Sequence, residues 1–160
     1  MTLEIDEDPS FQRKEWIAQR FGIGVMALLV LAAVLGFTGR GGPFSHGEVD
    51  DPSRTLRVEY ERFVRRGAPN TVTLHLRSVK PGSRSFWLSA EYLRKVDVES
   101  VEPDPEVSVA EGDRYVYTIR TNGSEATVTV RTRPTSAGWI DVDVGMVDGP
   151  SVHFRQTSLF

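Results

Sequence analysis

Two hydrophobic periods divide this chain. From Phe21 to Phe37 the run FGIGVMALLVLAAVLGF carries no charge and no polar stripe. Beyond about residue 54, apolar and polar residues alternate with a period of two. The first pattern predicts a helix that is apolar all round, and the second predicts half-buried strands.

The uncharged stretch between Arg20 and Arg40 is about 19 residues, or about 28 Å of helix at 1.5 Å per residue. A bilayer core is about 30 Å thick, so the stretch predicts one transmembrane helix with little tilt. A buried core helix is the first alternative, but so small a domain would hardly surround it. A cleaved signal peptide is the second, with Arg13, Lys14 and Arg20 as its basic flank. No small-x-small cleavage site follows, and bulky Phe37 and charged Arg40 stand in the way. The expectation is an uncleaved anchor. Asp8 and Pro9 suit an N-cap and a first helical position, and Gly39, Gly41, Gly42 and Pro43 end the segment. The predicted organisation is an acidic cytoplasmic tail over 1–9 and a juxtamembrane and transmembrane helix over 10–38. A Gly/Pro linker over 39–53 and an extracytoplasmic β domain over 54–160 follow.

Orientation follows from basic residues near the span. Arg13, Lys14 and Arg20 precede it closely, and Arg40 follows it. The bias puts the N-terminus in the cytoplasm and the β domain outside, in an inner (cytoplasmic) membrane. Trp16, with Arg13, Lys14 and Arg20, is the expected interface anchor. Gly22, Gly24, Ala32 and Gly36 give the helix smooth patches on which another membrane helix can pack.

In the β domain, Leu56, Val58 and Tyr60 alternate with polar residues, as do Val72, Leu74 and Leu76. Tyr115, Tyr117 and Ile119 form a third alternating run, and Val128 and Val130 a fourth. Asn122-Gly123 lies between these two and predicts a tight hairpin. Ile140, Val142, Val144 and Met146 form a fifth run, and Asp148-Gly149-Pro150 turns the chain into a last strand through Val152 and Phe154. FWLSAEYL reads either as a bulged strand or as a short helix, and VDVESV alternates again before Pro103 and Pro105. About seven strands with regular turn signals predict an all-β, antiparallel immunoglobulin-like sandwich, with a seven-strand barrel as the alternative.

Composition narrows the chemistry. The chain has no cysteine, which excludes thiolate catalysis, Cys-ligated zinc, iron–sulfur clusters and lipoprotein anchoring. From Asp50 onward there are 15 Lys and Arg against 16 Asp and Glu, a near-neutral mixture that argues against nucleic acid as a partner. Arg62, Arg65 and Arg66 form the one tight basic cluster and read as a solvated strand edge, with a phosphate or lipid-headgroup site as the alternative.

His46, His75 and His153 lack the spacing of a ligand motif, so no metal site is expected. Asp141 and Asp143 share one strand face but lack a third ligand or an acceptor loop. No nucleophile elbow is present, and Gly22-Ile-Gly24 lacks the preceding strand of a dinucleotide loop. Asn122-Gly123-Ser124 fits a glycosylation acceptor, though the turn already accounts for it. No catalytic residue or cofactor is therefore expected. Strand edges, end loops, Trp87 and Trp139 remain as places for partner contact, each Trp reading first as core and second as contact.

The segments FQRKEWIAQRFG and LRVEYERFVRRGAP, set in a layout of basic start, single span and β domain, resemble uncharacterised bacterial single-pass envelope proteins with an outer immunoglobulin-like domain. The layout is also similar to the FixH-type assembly factors of bacterial terminal oxidases, without the Gly-Trp-His start of that family's membrane helix. The resemblance implies location and layout only. The expected role is a non-enzymatic, membrane-anchored accessory protein that binds another envelope protein, and also a multi-span protein through its helix. The alternative is a binding or sensing module for a lipid headgroup, sugar or cation.

Overall fold

The computed structural model describes residues 9–35, 44–77 and 82–160. Helix α1 spans Pro9–Val34. Its segment Arg13–Val34 is long and apolar enough to cross a membrane, and none of it is buried inside the protein. Asp8, Gly36, Arg40 and the Gly/Pro stretch 39–43 lie outside the described residues, as does the tail 1–8.

Eleven strands follow. They are β1 (His46–Asp50), β2 (Leu56–Glu61), β3 (Phe63–Arg65), β4 (Asn70–Arg77), β5 (Gly82–Ser89), β6 (Val96–Glu102), β7 (Val107–Glu111), β8 (Arg114–Thr121), β9 (Glu125–Pro134), β10 (Gly138–Met146) and β11 (Ser151–Leu159). A short helix, α2 (Ala90–Leu93), stands between β5 and β6. One five-stranded sheet has the order β1-β2-β4-β9-β6, and a six-stranded sheet has the order β3-β11-β10-β5-β8-β7. Together they form an immunoglobulin-like β-sandwich.

Alternation decides which side chains face inward. Leu56, Val58, Leu74 and Val130 from one sheet meet Phe86, Leu88, Ile140 and Val142 from the other. Tyr60 of β2 stacks on Phe154 of β11 with ring centroids 3.9 Å apart, joining the sheets. Tyr92 of α2 plugs one end of this core. Its hydroxyl meets the Thr132 hydroxyl at 3.2 Å, and burial pushes its pKa up to about 12.

The structure departs from the sequence reading in four places. Three short strands add to the expected seven or so: β1, β3 and β7. β1 falls within the expected 39–53 linker, because its backbone pairs with β2 from His46↔Glu61 to Asp50↔Arg57. β3 runs parallel to β11, so the sandwich is not wholly antiparallel. The segment FWLSAEYL is both strand and helix, breaking at Ser89, whose hydroxyl caps α2 by accepting from the Tyr92 amide.

The fourth departure is Asn122-Gly123, which does not close a hairpin. β8 belongs to the six-stranded sheet and β9 to the five-stranded one, so the chain arches between them. Buried Arg84 holds this arch, donating to the Leu76 carbonyl at 2.6 Å and the Gly123 carbonyl at 2.7 Å. The tight hairpin lies one link earlier, between β7 and β8. There Gly112 adopts φ 61°, which a two-residue turn of primed type requires.

Candidate functional site

The outer face of the six-stranded sheet gathers most of the conspicuous side chains. Register defines its rows. Val109 of β7 opposes Val116 of β8, which opposes Trp87 of β5, which opposes Gly145 of β10, which opposes Ser151 of β11. All five stand on the outward phase of their strands, because their neighbours Phe86, Leu88 and Val144 point into the core. The absence of a side chain at Gly145 lets the Trp87 indole lie across the sheet toward Ser151. Val116 is only 8% exposed, while Val107 and Val109 remain 51% and 47% exposed.

β7 extends this apolar band past the edge of the opposing sheet. Every residue of Val107–Glu111 is exposed on both faces, as is Tyr115 beside it. β8 is its only pairing partner, so its other backbone edge meets no strand among the described residues.

The other half of the face is charged. Arg155 Nε donates to Asp141 Oδ1 at 2.6 Å, and His153 Nδ1 lies 2.8 Å from Asp143 Oδ1. The Arg155 hydrogen bond holds the Asp141 carboxyl below its ordinary value. Desolvation opposes it, while the charges of Arg155, Lys95 and His153 reinforce it. These four residues are an exposed, mutually neutralising network rather than an acid and a base set apart in a dry cleft. Trp139 stands at its end, 69% exposed, with the Arg155 guanidinium 5.2 Å from the ring.

The two tryptophans expected first as core are thus both on the outside of one sheet. Trp139 begins β10 on the outward phase of the alternation, two residues before Asp141. Trp87 sits between core residues Phe86 and Leu88 and so must point the other way. Val109, Val116 and Gly145 escaped the sequence reading, although VSVAE alternates as a half-buried strand would.

The outer face of the five-stranded sheet is different. Ion pairs tile it: Arg57 with Glu48 and Asp50, Arg77 with Glu125, Arg131 with Glu102, and Arg133 with Glu99. His75 lies there too, its Nε2 3.1 Å from Glu59. A shallow groove of about 270 Å³ runs between Arg54, Arg57, His75 and Arg77. Its Arg57, His75 and Arg77 already face carboxylates, which leaves it little net charge for a ligand. His46 pairs with Glu61 at 3.3 Å on β1. No group of three or more His, Asp or Glu side chains that could hold a metal ion is found among the described residues.

Arg62, Arg65 and Arg66 are exposed around β3, the edge strand beyond β11 of the same sheet. On α1, the Arg20 guanidinium lies 3.6 Å from the Trp16 ring centroid, one helical turn away, and Arg13 and Lys14 are exposed. Gly22 and Gly24 have nothing within 4 Å of where a Cβ would stand, and Ala32 lies on the same helix. Gly36 falls outside the described residues.

No family model matches the chain, and no curated protein matches it either. Among solved structures, it is similar to a cohesin module from a Clostridium perfringens family 33 glycoside hydrolase. That match has 10% identity and a TM-score of 0.42, and covers 71% of this chain and 96% of that one. A non-cellulosomal cohesin from Archaeoglobus fulgidus is 18% identical with a TM-score of 0.40, covering 61% and 86%. The cupredoxin domain of amoB from Nitrosocaldus yellowstonii is 13% identical with a TM-score of 0.34, covering 69% and 61%.

Proposed function

We propose that this chain is a non-enzymatic, single-pass membrane protein whose β-sandwich binds another envelope protein through the outer face of the six-stranded sheet. One observation carries the reading: Val107, Val109 and Trp139 leave apolar surface exposed on one sheet, while ion pairs cover the other. Aromatic anchors beside a polar rim are the usual make-up of a protein interface, and Trp139 with Arg155 supplies such a rim. The open edge of β7 adds a second mode of contact, by strand addition.

In this proposal α1 is the anchor, with the N-terminus in the cytoplasm and the sandwich outside the inner membrane. Its all-round apolar surface meets nothing within the protein, as a bilayer-embedded helix requires. Gly22, Gly24, Ala32 and Gly36 form its contact with a multi-span partner.

Photo-crosslinking in intact membranes tests the binding face. A crosslinker at Val109 is expected to give a discrete protein adduct, and one at Thr73, on the opposite sheet, none. Equal labelling from both positions, or none from Val109, overturns the assignment.

A further inference from the structure

Three arginines, Arg62, Arg65 and Arg66, are at the end of the sandwich where the chain arrives from α1. β1 opens at His46, opposite Glu61, and the Arg62 amide donates to the Ser45 carbonyl at 2.6 Å. At Arg62 the chain passes from β2 into β3, which runs parallel to β11 and reaches Arg65 opposite Leu159. Arg66 follows, its Nε donating to the Thr135 carbonyl at 2.9 Å. Arg62, Arg65 and Arg66 therefore crown the end nearest the tether.

Their electrostatic situation differs from that of the arginines on the sheet faces. Arg57, Arg77, Arg120, Arg131, Arg133 and Arg155 each face a carboxylate. Arg62, Arg65 and Arg66 are exposed, and none has a carboxylate partner among the described residues. Three uncompensated cations within a few residues repel one another, so the site favours an anion outside the protein.

The covalent tether limits what that anion can be. Eight residues separate Leu35 from Phe44, and even a fully extended connection of this length spans only about 30 Å. With α1 in a bilayer, this end cannot move farther than that from the helix terminus, and headgroups are the most concentrated anions in reach.

We propose that Arg62, Arg65 and Arg66 dock this end of the sandwich onto anionic phospholipid headgroups, setting the domain upright so that the Trp87 face points sideways along the membrane. The proposal rests on α1 being the anchor. Each arginine near an anionic surface shifts the docked-to-undocked ratio about fivefold, and the three together about a hundredfold. Salt screens such contacts within about 8 Å at physiological ionic strength.

The lack of cysteine permits clean single-site labelling of the full chain. Ala68→Cys marks the arginine end and Asp148→Cys the opposite end. Each labelled protein is reconstituted into vesicles of phosphatidylcholine alone or mixed with phosphatidylglycerol, and energy transfer to a headgroup-attached acceptor is read. The expected result is stronger transfer from position 68 in the anionic vesicles only, lost in high salt and lost in Arg62→Gln/Arg65→Gln/Arg66→Gln, with position 148 unaffected. Vesicle flotation and the thermal unfolding midpoint of the triple variant should match the parent. Equal transfer in both lipids, or an unchanged triple variant, overturns the docking proposal while leaving the anchor intact. Failure of the parent chain to float with either vesicle overturns both.

Discussion

Trp87 and Gly145 form a matched pair across β5 and β10. A Cβ on residue 145 would come within 2.8 Å of the Trp87 ring and equally close to Ser151 Cβ. The indole can lie flat only because the facing residue has no side chain. Gly145→Ala is accordingly expected to lift the ring, at a cost of about 1–3 kcal/mol in unfolding free energy, measured by urea denaturation. Most of that loss should disappear when Trp87→Ala is combined with it, and a double-mutant cycle measures the difference. Full additivity would mean that the indole is not seated there.

Arg84 joins the two sheets at the arch between β8 and β9. Its two donated hydrogen bonds satisfy the Leu76 and Gly123 carbonyls from a buried position. Arg84→Ala leaves both acceptors without that donor and is expected to cost about 3 kcal/mol. Arg84→Lys keeps the charge but loses the fork, so it should recover only part. Chemical unfolding of the two variants checks the order, and an Arg84→Ala protein as stable as the parent would refute this role.

Asp51 makes folding sensitive to acid. The side chain is 2% exposed and accepts from the amides of Ser53, Thr55 and Leu56 at 2.7, 2.7 and 2.5 Å. Desolvation raises its pKa, but hydrogen bonds from Ser53, Leu56 and Thr55 together outweigh this and hold it below the ordinary 3.8. A depressed carboxylate contributes stability above its unfolded pKa, and that contribution is lost as pH falls through the folded value. Asp51→Asn should therefore be less stable than the parent by about 2 kcal/mol at neutral pH. The gap should narrow as pH falls below about 4 and then through the depressed folded value, where the parent loses the charge as well. Unfolding midpoints of both proteins across this range measure it. A gap that persists unchanged into acid would assign the loss to geometry rather than to ionisation.

Much of the sandwich was legible because period-two alternation survives in each long strand. Val72–Leu74–Leu76 and Ile140–Val142–Val144 enter the core as their spacing demands. β1 and β3 were not legible for a physical reason: HGEVD and FVR are too short to show a period, and β3 pairs with β11, distant in sequence. The arch at Asn122-Gly123 was hidden because alternation is identical whether the next strand pairs beside the last or crosses to the other sheet. The proposed binding face was half legible. Trp87 and Trp139 stood out by type, but their direction depends on strand phase, which register settles. Gly145 carries no signal until the residue opposite it is known.

The entry of the chain through β1 has a mechanical consequence. β1 is held to β2 by a ladder from His46↔Glu61 to Asp50↔Arg57, and the chain from α1 joins at its His46 end. Tension drawn along the strand axis, with the sandwich gripped by a partner, therefore loads these hydrogen bonds together in shear instead of unzipping them singly. The strand that opens the domain thus serves as its strain relief.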